Sequence, residues 1–164
     1  MDSTEIAAHI PRLRRYARAL AGDSDRADDL VQDTLERALA KFHLWRRGSD
    51  MRAWMFAIMH NVFINQLKQR RELALDEAAD ARLEGAPRSD SLELRDLDAA
   101  LKRLPAEQRE VLLLVGLEQL SYSEAGQALN VPVGTVMSRL SRGRERLRVL
   151  MSGAAPATNL KLVK

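Results

Sequence analysis

Apolar residues recur every three or four positions along most of the chain, and this spacing predicts helices rather than strands. In the N-terminal part the pattern predicts three helices, at about Thr4–Ala21, Asp23–Lys41 and Asp50–Arg71, with Gly22 ending the first. The third helix is the longest, and one of its faces is almost entirely apolar. The residues of this buried stripe are expected to be Met51, Met55, Ile58, Met59 and Val62.

The C-terminal part contains a second group of predicted helices, and its last two have the pattern of a helix-turn-helix. Ser121 and Glu124 have the spacing of a capping box, which begins a short helix. Asn130 suits the left-handed conformation that ends such a helix, and a longer helix follows after a turn of about four residues. The expected helices lie at about 92–103, 106–117, 121–129 and 133–151.

A helical wheel divides the last helix into a buried seam and an outward face. The seam should contain Val136, Leu140, Gly143, Leu147 and Leu150, and Gly143 would allow a neighbouring helix to approach closely. The N-terminal part of the second helix of a helix-turn-helix enters the major groove of DNA. Serine and arginine suit contacts with base edges, and threonine and arginine suit contacts with phosphates. The alternative explanation of the arginines is that they form a solvated basic face without a ligand. The candidate DNA-binding residues of this helix are Thr135, Met137, Ser138, Arg139, Ser141 and Arg142.

Charge changes sign along the chain and suggests two modules. Residues 1–72 carry a net charge of +3, residues 73–98 a net −5, and residues 99–164 a net +5. Large apolar residues are few between the two groups of helices. We therefore predict an all-α fold with two helical domains, 1–72 and 92–151, a flexible acidic linker at 73–91 and a disordered tail at 152–164.

Composition argues against an enzyme. The chain has no cysteine, its three histidines are scattered, and we expect no carboxylates to pair in an apolar setting. We therefore expect no cofactor, no metal site and no small-molecule substrate. No apolar run approaches the roughly 20 residues that span a membrane, and the N-terminus lacks the apolar core of a signal peptide. A cytoplasmic protein without membrane insertion is expected.

Two sequence stretches resemble a known family. The segment SYSEAGQALNVPVGTVMSRLSRGRERLR resembles the C-terminal DNA-binding region, region 4, of extracytoplasmic-function (ECF) sigma factors. The segments LRRYARALAGDSDRADDLVQDTLERAL and DMRAWMFAIMHNVFINQLKQRR resemble their region 2. The resemblance implies a protein that binds core RNA polymerase, directs it to promoter DNA and helps to open the duplex. It further implies control by an anti-sigma factor, in a stress or envelope response.

The resemblance also implies roles for residues of region 2. The helix at about 28–41 would dock on the clamp helices of the largest polymerase subunit, and its polar face carries Asp29, Gln32, Asp33 and Glu36. The loop before the third helix would hold a flipped base of the downstream promoter element, and that helix would add polar and basic contacts. These residues are Trp45, Arg46, Arg47, Gly48, Ser49, Asn61, Asn65, Lys68, Arg70 and Arg71. Trp54 is expected to belong mainly to the core, while Trp45 suits either role.

One residue departs from the family pattern, and two other functions remain open. Met137 stands where many relatives carry lysine or arginine, and methionine makes no bidentate contact with guanine. A dimeric helix-turn-helix regulator that binds operators would account for the C-terminal half only. A sigma-like mimic that sequesters an anti-sigma factor would not need to retain the DNA-contacting residues.

Overall fold

The computed structural model describes residues 4–45, 48–76 and 92–152, and within these ranges the chain forms helices and no strands. An N-terminal lobe comprises α1 to α4 and a C-terminal lobe comprises α5 to α8. The two lobes are helical, as expected from the sequence. Residues 73–76 of the predicted linker at 73–91 belong to α4, and residues 77–91 of that linker and 153–164 of the predicted tail lie outside the described ranges. The helices are α1 (Thr4–Ala7), α2 (Ile10–Ala21), α3 (Ser24–Ala40), α4 (Met51–Asp76), α5 (Leu92–Lys102), α6 (Ala106–Leu112), α7 (Tyr122–Leu129) and α8 (Val133–Ser152).

The first helix of the chain is interrupted, so the expectation of one helix from Thr4 to Ala21 was wrong. α1 ends at Ala7, and α2 begins at Ile10 with Pro11 in its first turn. Proline has no N–H to donate, and its ring clashes with the carbonyl four residues earlier in a continuous helix. Pro11 is therefore tolerated only where a new helix begins.

The long helix α4 forms the centre of the N-terminal lobe. Its predicted apolar stripe is confirmed, because Met51, Met55, Ile58, Met59 and Val62 are all buried. Phe56 is buried with them, and its ring lies edge-on to the ring of Tyr16 in α2 at a centroid distance of 4.8 Å. The helix continues to Asp76, beyond the expected end at Arg71.

In the C-terminal lobe the helix-turn-helix signals of the sequence are confirmed. Ser121 Oγ accepts a hydrogen bond from the backbone N–H of Glu124, and the Glu124 carboxylate accepts one from the N–H of Ser121. Asn130 adopts the left-handed conformation with φ of 60°. A Cβ at Gly143 would lie 3.2 Å from Leu112 Cδ1, so the glycine allows α6 and α8 to approach closely.

α6 ends earlier than the sequence predicted. Regular α-helix stops at Leu112, and a π-helical turn follows over Leu113–Leu117. The N–H of Glu118 donates to the carbonyl of Leu113 at 2.9 Å, which is the wide hydrogen bond of a π-turn. The turn is followed directly by Glu118, whose side chain lies between the lobes.

The two lobes pack against each other and share one continuous apolar core. α4 packs against α7, while α2 contacts α5, α6 and the π-helical turn. Arg109 of α6 spans the junction: its Nη1 donates to the carbonyl of Leu20 in α2 at 2.8 Å, and its Nε donates to the carbonyl of Leu101 at 2.9 Å. Burial lowers the pKa of Arg109, but its guanidinium stays charged at neutral pH.

Candidate nucleic-acid and protein interfaces

The second helix of the helix-turn-helix presents a polar surface to solvent. Val136, Leu140 and Gly143 are buried against the neighbouring helices, which orients the opposite side of α8 outward. Thr135 and Arg139 at the edge of this surface are half-buried, and Arg139 lies 3.6 Å from a carboxylate oxygen of Glu107 in α6. The exposed predicted site residues are Met137, Ser138, Ser141 and Arg142.

Hydrogen bonds within α8 determine which of its polar groups face a ligand. The Ser138 hydroxyl donates to the carbonyl of Thr135 at 3.2 Å, so its lone pairs remain to accept a hydrogen bond. Arg148 donates to Glu145 at 2.6 Å, and this bond lowers the pKa of Glu145. Arg142 and Arg146 are exposed and do not belong to this pair. Positive charge therefore dominates the exposed side of α8.

The loop before α4 is built on stacked aromatic rings. Trp45 stacks on Phe42 at a centroid distance of 5.8 Å with 12° between the planes, and Trp54 packs against both at 6.5 Å. Trp45 is half-buried, and its indole N–H has no acceptor among the described residues. Trp54 is also half-buried and packs against the core. Gly48 and Ser49 are exposed, whereas the predicted site residues Arg46 and Arg47 lie outside the described ranges.

Polar residues of α4 form an exposed row that leads away from this loop. Asn61, Asn65 and Lys68 lie at intervals of four and three positions and therefore share one face of the helix, and all three are exposed, as is Arg71. Arg70 is different: it is half-buried near Asp29 of α3 and near Asp23, which caps that helix, and burial lowers its pKa. The row is suited to a nucleic-acid strand, while Arg70 belongs to the α3–α4 contact.

The polar face of α3 is accessible to a partner, except for one residue that forms a hydrogen bond within the N-terminal lobe. Asp29, Gln32 and Glu36 are exposed. Asp33 is half-buried, and its carboxylate accepts a hydrogen bond from Gln66 Nε2 of α4 at 3.0 Å. Asp33 therefore fixes α3 to α4 in addition to any contact with a partner.

A buried carboxylate between the lobes was not predicted from the sequence. The Glu118 side chain is fully buried, and its oxygens lie 3.2 Å from Arg15 Nη2 and 3.3 Å from Arg12 Nε, both in α2. Arg52 of α4 donates to the Glu118 carbonyl at 3.2 Å and also approaches Glu124 at 3.6 Å. Burial raises the pKa of Glu118, while Arg15 and then Arg12 oppose that rise. We call Glu118 with Arg12, Arg15 and Arg52 the inter-lobe clasp.

A second buried pair corrects the expectation that no carboxylate would pair in an apolar setting. Glu110 of α6 is 2% exposed, and its carboxylate lies 2.6 Å from Nδ1 of His60 in α4. Since His60 belongs to the N-terminal lobe, this contact also joins the lobes. The sequence contains one indication of this buried acid: Glu110 directly precedes an apolar run of Val111 and three leucines.

The described part of the chain has neither a metal-binding cluster nor a membrane-spanning helix. No group of three or more histidine, aspartate or glutamate side chains there is arranged to hold a metal ion. Among the helices of the described ranges, none combines the length and apolar character needed to cross a membrane.

Comparison with known proteins identifies both lobes. Residues 6–60 match the family model described as the Sigma2 domain of PhyR, and residues 94–147 match the model of Sigma-70 region 4. The chain is 42% identical over 150 residues to the ECF RNA polymerase sigma factor EcfG of Rhodopseudomonas palustris, covering 90% of this chain and 83% of the relative.

Solved structures show the same arrangement of helices. The structure of the sigma factor RpoE in complex with the anti-sigma factor NepR from Bartonella quintana matches with a TM-score of 0.83 and 37% identity, over 92% of this chain and 96% of that one. CnrH, solved in complex with the cytosolic domain of CnrY, matches with a TM-score of 0.69 and 26% identity, over 93% and 88% of the two chains. The chain therefore belongs to the ECF sigma factors of RNA polymerase, whose members are not enzymes.

Proposed function

We propose that this protein binds core RNA polymerase and directs it to promoters that carry two short elements, one read as duplex by α8 and one as a melted strand by the N-terminal lobe. The observation that supports the proposal most strongly is the position of polar side chains on both lobes. Ser138, Ser141 and Arg142 project from the first turns of α8, the part that enters the major groove in a helix-turn-helix. Residues 1–72 and 92–151 are the proposed domains for these two activities.

For the upstream element, we assign direct base contacts to three side chains. Arg142 suits the two acceptors of a guanine. The Ser138 hydroxyl, which donates to Thr135, suits donors on base edges, and the Ser141 hydroxyl suits either donors or acceptors. Thr135 and Arg139, at the side of the exposed surface, suit phosphates, as do the backbone N–H groups at the start of α8.

For the downstream element, we assign the row on α4 and the aromatic loop. The exposed amides of Asn61 and Asn65 suit base edges, and Lys68 and Arg71 suit phosphates. Trp45 offers an aromatic surface beside Arg46, Arg47, Gly48 and Ser49, and stacking on an aromatic ring contributes about 1–3 kcal/mol per base. This gain offsets the few kcal/mol required to unstack a base.

For polymerase, we assign the exposed face of α3. Asp29, Gln32 and Glu36 form an acidic surface near which a basic partner would relieve the repulsion between like charges. Asp33 belongs to the same face but is held by Gln66, so its contribution to docking would be partly indirect.

We further propose that an anti-sigma factor holds the protein inactive until a stress or envelope signal releases it. Support comes from two similar proteins of known structure: the sigma factor RpoE of Bartonella quintana, solved bound to the anti-sigma factor NepR, and CnrH, solved bound to the cytosolic domain of CnrY. A cytoplasmic location follows from action on polymerase.

Run-off transcription tests the central proposal. Purified core polymerase would be combined with the full chain and a library of genomic fragments from the source organism, and start sites would be mapped. We expect discrete start sites that share two sequence elements and that appear only when the chain is added. Active core polymerase that yields no chain-dependent start site would contradict the proposal.

A sigma-like mimic is the second candidate, because residues 6–60 match a model built on PhyR, and a PhyR of Bartonella quintana is described as an anti-anti-sigma factor. A mimic would bind an anti-sigma factor and release the true sigma factor without binding promoters itself. The same transcription assay separates the two functions, because a mimic gives no start sites with core polymerase alone. A dimeric operator-binding regulator would leave the N-terminal lobe without a role.

A further inference from the structure

The exposed surface of α8 is not uniformly polar. Met137 is 50% exposed and Val133 is 41% exposed, and the two lie one turn apart in the first two turns of the helix. Tyr122, at the start of α7, is 38% exposed and lines a shallow groove together with Met137 and Ser141. Apolar side chains therefore occupy one side of the surface that the proposed function assigns to the major groove.

The chemistry of Met137 restricts what it can recognise on DNA. Its thioether donates no hydrogen bond and accepts only weakly, so it cannot satisfy the O6 and N7 acceptors of guanine. Covering such acceptors with an apolar group would leave them unpaired and cost affinity. The neighbouring Ser138 and Arg142 carry the donors and acceptors that methionine lacks.

The 5-methyl group of thymine is the only methyl group that the four bases present in the major groove. Methionine is flexible and polarizable, so it adapts to a small apolar partner. We propose that Met137 is a specificity-determining residue whose side chain packs on the methyl group of one thymine in the upstream element. This inference depends on the proposed function of α8 as the reader of that element.

The expected size of the effect follows from the area involved. Removing one methyl group from a buried apolar contact lowers the affinity about fourfold, which corresponds to the usual free-energy contribution of one buried carbon. The change should occur at one position, whereas loss of a phosphate contact weakens binding to all sequences alike.

The test replaces each thymine of the upstream element in turn by deoxyuridine, which lacks the methyl group but keeps all hydrogen-bonding atoms. Affinity would be measured with the full chain assembled on core polymerase and a promoter duplex identified by run-off transcription. We expect one replacement to weaken binding of the wild-type protein about fourfold. Met137→Ala should bind the thymine and deoxyuridine duplexes equally.

Met151→Ala is the matched control, because Met151 is 44% exposed at the far end of the same helix. It should keep the discrimination between thymine and deoxyuridine. The inference is overturned if the element contains no thymine, if no replacement changes the affinity, or if Met137→Ala still discriminates. If Met137→Ala instead weakens only binding to an anti-sigma factor, the residue serves a protein partner and the inference is again wrong. Absence of any promoter binding by the wild-type protein would instead contradict the proposed function.

Discussion

Single residues of α8 divide into those placed for base edges and those placed for phosphates. Arg142 follows Ser138 by four positions on the exposed side of the helix and lies in its third turn. Arg146 lies one turn farther along, beyond the part of the helix that enters the groove in a helix-turn-helix. The same side chain should therefore contribute differently to DNA binding at the two positions.

We expect Arg142→Ala to lose about 1–3 kcal/mol of discrimination at one position of the upstream element. Arg146→Ala should weaken binding to all duplexes alike and lower the dependence of affinity on salt concentration. Titrations of the full chain on core polymerase, with every single-base variant of the element, measure both effects. A uniform loss for Arg142→Ala would show that Arg142 contacts only phosphate.

On α3, the exposed acids differ from Asp33 in what else they contact. Asp29 is exposed, so reversing its charge tests docking without breaking the hydrogen bond between Asp33 and Gln66. We expect Asp29→Arg to weaken binding to core polymerase by about 1 kcal/mol or more, because exposed ion pairs contribute up to about 1 kcal/mol and the reversal adds repulsion. Glu5→Arg makes the same charge change on α1 and should leave the affinity unchanged. Equal affinities for wild type and Asp29→Arg would remove the docking assignment of this face.

Among the elements, the tight turn between α7 and α8 depends on a glycine inside a helix. A Cβ at Gly126 would lie 2.9 Å from the carbonyl oxygen of Val131, which is backbone and cannot move without changing the turn. We expect Gly126→Ala to destabilise the protein by about 1–3 kcal/mol, the usual cost of overpacking. Urea unfolding followed by circular dichroism measures this change.

Gly134→Ala is the comparison for that prediction. A Cβ at Gly134 meets nothing within 4 Å, and alanine favours helix over glycine by about 1 kcal/mol. We expect this variant to be as stable as wild type or up to about 1 kcal/mol more stable. If Gly126→Ala were equally well tolerated, the close contact with Val131 would not limit the geometry of the turn.

Elements whose signals are local were predictable from the sequence. The capping box of Ser121 and Glu124, the left-handed Asn130 and the apolar stripe of α4 all depend on residues within a few positions of each other. The π-helical turn at Leu113–Leu117 was not predictable, because its apolar residues satisfy the spacing of an ordinary helix equally well. Pro11 indicated the break between α1 and α2 at Ala8 and His9, but the apolar residues on both sides keep the spacing of one continuous helix.

The candidate site divides in the same way. The exposed side of α8 could be predicted from one helical wheel, since burial of a single seam determines it. The inter-lobe clasp could not, because Arg15 and Glu118 are separated by 103 positions and no local pattern links them. Buried acids beside apolar runs, as at Glu110, were the available hint.

At the scale of the whole molecule, the lobes are joined through charged groups as well as apolar ones. Glu118, Glu110 and Arg109 all lose solvent where the lobes meet, and all three would regain it if the lobes separated. Burial of an ion pair costs desolvation energy that its Coulomb attraction repays only in part. Such an interface opens at a lower cost in free energy than an apolar one of the same area.

Replacing Glu118 by lysine tests whether the clasp holds the lobes together. The variant would place an ammonium group beside Arg12 and Arg15, which pair with the wild-type carboxylate, and near Arg52, which donates to the Glu118 backbone carbonyl. An unpaired buried charge is strongly destabilising, and here separation of the lobes would relieve it by returning the lysine to water. We expect small-angle X-ray scattering to show a radius of gyration several ångströms larger than that of wild type, while circular dichroism retains the helical content.

Glu145→Lys is the matched control for that experiment, because it makes the same charge change at an exposed residue of α8 that pairs with Arg148 of the same helix. Its radius of gyration should stay close to the wild-type value, for which a compact chain of 164 residues gives about 15 Å. Should Glu118→Lys scatter like this control, the lobes are held by their apolar contacts and the clasp is dispensable. If Glu118→Lys expands while the control does not, the Glu118 carboxylate governs the equilibrium between packed and separated lobes. A partner that binds Arg12, Arg15 or Arg52 would then also shift this equilibrium toward separated lobes.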